Sequence, residues 1–133
     1  MKTFLMAVWV AISAVGAASA DTMYDCSIQG KKGSHSVPDR VEIKYNGATK
    51  SAEVFDAFVN HYFGKPIAAE VLADNTKRLT IGWDFENIKA RDGGTIPRVR
   101  MKASVLRASN EIHVTTSYGY GDSESGFGTC TVK

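Results

Sequence analysis

Arg40-Val41-Glu42-Ile43-Lys44-Tyr45-Asn46-Gly47 decides the fold class. A period of two places Val41, Ile43 and Tyr45 on one face of an extended segment and Arg40, Glu42 and Lys44 on the other. This is the pattern of a strand with one dry and one wet face; a helix would scatter the same apolar residues around its circumference. Asn46-Gly47 follows at once, and the pair favours a two-residue type I′ turn, because both central residues of that turn need positive φ. The chain from Ala48 to Phe55 is then expected to return as the antiparallel partner strand.

The same period recurs outward from this hairpin. Leu79, Ile81, Trp83 and Phe85 alternate with Arg78, Thr80, Gly82 and Asp84, and Val99, Met101, Ala103 and Val105 alternate with Arg98, Arg100, Lys102 and Ser104. After Ala108-Ser109-Asn110, a turn by composition, Ile112, Val114, Thr116 and Tyr118 share a face. Tyr24–Gln29, Ile67–Ala73 and Phe127–Val132 complete eight strand candidates joined by short loops, an up-and-down meander. The fold class is therefore all-β, an eight-stranded closed or nearly closed antiparallel barrel, with a two-sheet β-sandwich as runner-up. The segment Asp56 to Gly64 interrupts the pattern: Asp56 is placed to cap a short helical turn that Gly64 and Pro66 would end, or the third strand continues through it.

Cys26 and Cys130 are the only cysteines. With two in an oxidising space the pairing is unambiguous, and a bond between them closes nearly the whole chain into a ring. It requires the first and last strands to lie side by side, as in a barrel. Residues 1–20 read as a cleaved secretory signal: Met1-Lys2-Thr3, an apolar run from Phe4 to Val15 and Ala18-Ser19-Ala20 before Asp21. The apolar run is short for a membrane span, and no cysteine follows it directly for acylation. The expectation is one β-rich domain over 21–133, periplasmic or secreted, with no membrane anchor after cleavage.

Across the chain 16 Lys and Arg face 14 Asp and Glu. Loss of Lys2 with the signal leaves an excess of a single positive charge, so charge gives no reason to expect nucleic acid as a partner. Length leaves no room for a separate cofactor domain, and no cofactor is expected. Three constellations carry candidate chemistry. Ser34-His35-Ser36 sets hydroxyls beside an imidazole, but sequence neighbours in extended chain point apart, and a polar loop accounts for them. Asp122 and Glu124 offer too few ligands for a Ca²⁺ loop, and a solvated acidic loop accounts for these. Glu111 and His113 are expected to meet Arg98, Arg100 and Lys102 across a hairpin and satisfy their charge. No catalytic or metal-ligating residue is assigned. Aromatics that the strand phase does not oblige to be core are Phe58, Tyr62, Tyr120 and Phe127. Together with His61 they form the expected ligand-binding set, an aromatic rim if both segments reach one barrel mouth.

Tyr24-Asp25-Cys26 near the expected mature start and Cys130 near the end resemble the corresponding ends of small exported lysozyme inhibitors, which are eight-stranded barrels. That family's loop motif, a Ser-Gly pair followed shortly by Tyr, is not reproduced, since Ser125-Gly126 is followed by Phe127-Gly128-Thr129. The resemblance implies the barrel and its closing cysteine. The function expected from the residues is a non-enzymatic binding module for a protein, a glycan or a small apolar ligand. The alternatives are an envelope-associated structural protein without a discrete ligand, a lysozyme-inhibitor-like protein, or a small hydrolase.

Overall fold

The computed structural model describes residues 21–119 and 121–133. The signal read from residues 1–20 and the candidate Tyr120 lie outside the described residues. Eight antiparallel strands close into a barrel in chain order: β1 (Thr22–Gly30), β2 (Arg40–Asn46), β3 (Ser51–Asp56), β4 (Ile67–Asp74), β5 (Arg78–Lys89), β6 (Thr95–Leu106), β7 (Glu111–Ser117) and β8 (Ser123–Val132). One helix, α1 (Ala57–Phe63), lies between β3 and β4. The expected barrel is the observed fold, and the sandwich is not.

The alternation sets the inside. Val41, Ile43 and Tyr45 on β2, Leu79, Ile81, Trp83 and Phe85 on β5, Val99, Met101, Ala103 and Val105 on β6, and Ile112 and Val114 on β7 are all buried. Trp83 is 3% exposed, which fixes the phase of β5 as the sequence has it. Closure comes at the seam between β1 and β8, where Cys26 pairs in register with Cys130 and the two are bonded, with Cα atoms 3.9 Å apart. Gly126 and Gly128 precede Cys130 at alternate positions on the same strand. A Cβ at Gly128 would overlap the carbonyl oxygen of Ser27, so glycine is what lets the two backbones approach this closely.

Two local expectations are corrected. The chain reverses after β2 over four residues, 47–50, with Asn46 opposite Ser51, and not over Asn46-Gly47 alone. The Asn46 side chain organises the reversal by accepting the N–H groups of Ala48 and Thr49 at 3.0 and 3.1 Å, and the positive φ falls on Lys50 at 51°. The β6 arginines do not meet Glu111. Register sets Arg100 opposite Ser117, Lys102 opposite Thr115 and His113 opposite Ser104. Arg100 instead spans the other neighbours, contacting Asp84 of β5 at 3.1 Å and Glu70 of β4 at 3.0 Å, while Arg98 contacts Asp84 at 2.8 Å.

Antiparallel order sends alternate loops to opposite ends. Segments 31–39, α1 with 64–66, 90–94, and residues 118, 119, 121 and 122 gather at one end, here the mouth; 47–50, 75–77, 107–110 and both described chain ends gather at the other, the base. The helix alternative for Asp56 to Gly64 is the one that forms. Asp56 Oδ1 accepts the Val59 N–H at 2.7 Å, and Gly64 closes the last turn at φ 70°, donating to the Asn60 carbonyl at 3.0 Å.

Candidate functional site

The lower interior is filled by side chains, but the mouth is not. Above Trp83 a cavity of about 480 Å³ opens between the loops, lined at its floor by Phe85, Val99, Met101 and Thr116 and around its sides by Phe58, Tyr62, Ile88, Ile96 and Tyr118. His35 and Ser36 complete one side, and Lys89, Ala90 and Arg91 the other. Its size lies within the range of ordinary ligand pockets.

Each lining group has a local cause. Phe85 is the last inward residue of the regular β5 alternation, and three α1 aromatics gather on it. Ring centroids of Tyr62, Phe63 and Phe58 lie 5.5, 6.0 and 6.4 Å from it. The helix is held by Val59, fully buried beneath it, and by the Asp56 cap. Ile88 and Ile96 line the cavity because the β5–β6 hairpin changes phase on the way out. Phe85 pairs with Val99 and Ile88 with Ile96, and between these pairs Asn87 takes a φ of 53°. The two isoleucines therefore face the same space as Phe85 and Val99, three residues away on each strand.

The opposite wall is strapped by a carboxylate. Glu124 Oε2 accepts the Ser36 N–H at 2.8 Å and the Tyr118 hydroxyl at 3.1 Å, and the His35 N–H donates to Glu124 at 3.2 Å. Thr116 Oγ1 adds a bond to the Ser36 carbonyl at 2.8 Å. Segment 31–39 is thereby drawn over the mouth edge. Partial burial of Glu124 opposes its ionisation, yet the donors from Ser36, His35 and Tyr118 outweigh it and hold the carboxyl below its usual range. Burial pushes Tyr118 upward in turn. Asp56, 3% exposed under α1, shifts the other way: desolvation raises it despite N–H bonds from Val59 and Phe58 and the opposing influence of the Trp83 side chain, and its Oδ2 has no hydrogen-bond partner within ordinary distance among the described residues.

The two expected segments do reach one end of the barrel. Phe58 and Tyr62 line the cavity. His61 does not; it is exposed on α1, edge-on to Tyr62 at 4.8 Å. From the second segment the cavity receives Tyr118. Phe127 stands on the outer wall, 54% exposed, stacked on His113 at 4.4 Å with the Lys31 ammonium 5.7 Å from its ring centre. There it borders a second groove, of about 390 Å³, with Lys102, Leu106 and Glu111. Burial, with Lys31 and Lys102 nearby, lowers the basicity of His113. The Ser34-His35-Ser36 cluster meets Glu124 through backbone N–H groups and not through the imidazole. Glu124, read from sequence as solvated, is instead half-buried and fully used.

Sequence reading missed Ile88 and Ile96 as site residues. The Ile-Pro pair at 96–97 opposite Asn87 is the signal that marks the change of phase, since Pro carries no N–H for a regular ladder and Asn tolerates positive φ. Fold and cavity together define a small antiparallel barrel with an open apolar mouth. Comparison with protein-family models, with curated proteins and with solved structures returns no match. The likeness to lysozyme inhibitors thus rests on the barrel and the paired cysteines.

Proposed function

We propose that the protein is a non-enzymatic binding module that holds a small apolar ligand in the barrel mouth. One observation carries this reading: below Phe85 the interior is packed with buried apolar side chains, whereas about 480 Å³ above it, lined mainly by apolar side chains, is left open. A protein that needed only stability would gain by filling that space, since each buried methylene contributes about 0.8 kcal/mol. Phe58, Tyr62 and Tyr118 are the aromatic contacts, and Ile88 and Ile96 the aliphatic ones. Export to the periplasm or beyond belongs to the same reading. The formed Cys26–Cys130 bond is compatible with an oxidising compartment, and the signal-like residues 1–20 supply the route.

The test is calorimetric titration with decanol, a neutral single-chain probe. Binding is expected in the native protein and abolished by Ile96→Trp, which fills the cavity from a partly exposed side position and leaves the lower core untouched. Absence of decanol binding, or binding unaffected by Ile96→Trp, would overturn the reading.

A further inference from the structure

We infer that the natural ligand of the mouth is a free single-chain amphiphile with one anionic head, a medium-chain fatty acid being the simplest case. The inference rests on the cavity reading above and adds the chemistry of the ligand's outer end.

Polarity within the cavity is arranged by depth. Phe85, Val99 and Met101 at the floor are apolar and the Thr116 hydroxyl beside them is given to the Ser36 carbonyl, so a charged group placed there would be desolvated with little compensation. Lys89 and Arg91, at the tip of the β5–β6 hairpin, line the same cavity from exposed positions. Among the described residues no aspartate or glutamate lines it. Further down the same hairpin Arg98 and Arg100 are neutralised by Asp84 and Glu70, but Lys89 and Arg91 have no described carboxylate within 4 Å.

Of the carboxylates around these two cations, Glu86 lies opposite Arg98 in the β5–β6 register, and two others are hydrogen-bonded elsewhere. Asp92 Oδ1 accepts the N–H of Gly94 at 2.8 Å within its own loop, and Glu124 is held by His35, Ser36 and Tyr118. The mouth therefore presents two cations with no ion-pair partner among the described residues, above a largely apolar shaft. That arrangement complements an acyl chain pointing inward with its carboxylate at the edge, half-solvated, within reach of flexible Lys and Arg stems. A charge left at the edge is not paid for in desolvation. An eight-stranded barrel encloses one small ligand, which favours a free single chain over a two-chain bilayer lipid.

The experiment compares decanoate, decanol and decyltrimethylammonium by isothermal titration, below micelle formation, on the native protein and on Lys89→Gln/Arg91→Gln. Both side chains are exposed, so the variant is expected to fold, which its far-UV circular dichroism and melting temperature check independently of any ligand. Decanoate should bind about tenfold more tightly than decanol, and the double variant should bring the two to parity. Equal binding of decanoate and decanol to the native protein, tighter binding of the cationic probe, or discrimination that survives in the double variant would overturn the acidic head while leaving the apolar cavity standing. Failure of all three probes would remove both readings. Capture on phosphatidylglycerol vesicles without any decanoate binding would overturn the free amphiphile in favour of a bilayer lipid.

Discussion

The two ends of the barrel are built from the same strands and reach opposite solutions. At the base the loops are short and polar, and they lock onto one another. The hydroxyl of buried Tyr45 donates to Asp74, Arg107 donates to Asp74 at 2.8 Å and to the Asn75 carbonyl at 2.9 Å, and the Arg107 guanidinium lies 5.8 Å from the Tyr45 ring centre. Asn75 Oδ1 caps its own turn through the N–H groups of Lys77 and Arg78. The Tyr45 bond, aided by the Arg107 charge, holds Asp74 below its ordinary value, and the same bond raises Tyr45. At the mouth the loops carry a helix, exposed aromatics and a cavity. The difference shows how a closed sheet divides its tasks: one end ties its chain reversals to one another through polar side chains, and the other leaves apolar surface uncovered.

The largest expected effect lies between the ends. Trp83→Ala should destabilise the protein by about 3–5 kcal/mol in urea denaturation, because it hollows the packed layer on which the cavity floor rests. A loss below about 1 kcal/mol would mean that the mouth does not depend on a filled interior. At the base, Asp74→Ala should cost about 2 kcal/mol, leaving the Tyr45 hydroxyl buried without its acceptor and Arg107 without its carboxylate. A neutral result would show that the base is closed by loop shape alone.

The mouth is where pH should act, with opposite signs on two of its carboxylates. Asp56 is raised in the folded protein, so its contribution is fully present below the unfolded pKa and is lost as pH rises through the folded one. Asp56→Asn keeps a capping side chain and cannot ionise, and its stability relative to the parent should improve as pH rises from acid to neutral. Glu124 is lowered, so its contribution is present above the unfolded pKa and is lost as pH falls through the folded one. Glu124→Gln should flatten the acid limb and speed amide exchange at His35 and Ser36 without moving the base. Parallel pH responses of the two variants would contradict this division.

The smallest expected effect on stability is at the exposed aromatics. Tyr62 is 44% exposed, and Tyr62→Ser should cost less than about 1 kcal/mol while weakening decanol binding severalfold. A large stability loss with binding retained would turn the mouth aromatics into a plug and make the two ends alike.

The period-two alternation by itself determined the strands, their inward faces and the meander, because a residue's side of a pleated strand depends only on its parity along the chain. Val41, Ile43, Leu79, Trp83 and Val105 needed nothing more. The two cysteines likewise determined that the ends of the sheet meet, since two thiols allow one pairing. Tertiary structure decided what parity does not encode. Whether Asn46-Gly47 makes a two-residue or a longer reversal depends on the register of the paired strands. Whether Arg100 meets Glu111 or Asp84 and Glu70 depends on which neighbour the shear brings opposite. Phe127 and Tyr118 are similar aromatics flanking one loop, yet strand phase sends the first to the outer wall and the second to the cavity. Ile88 and Ile96 enter the mouth only through the phase change at Asn87. A cavity is the space that several chain segments fail to fill together, so it belongs to no local stretch of sequence and appears only when the sheet is closed.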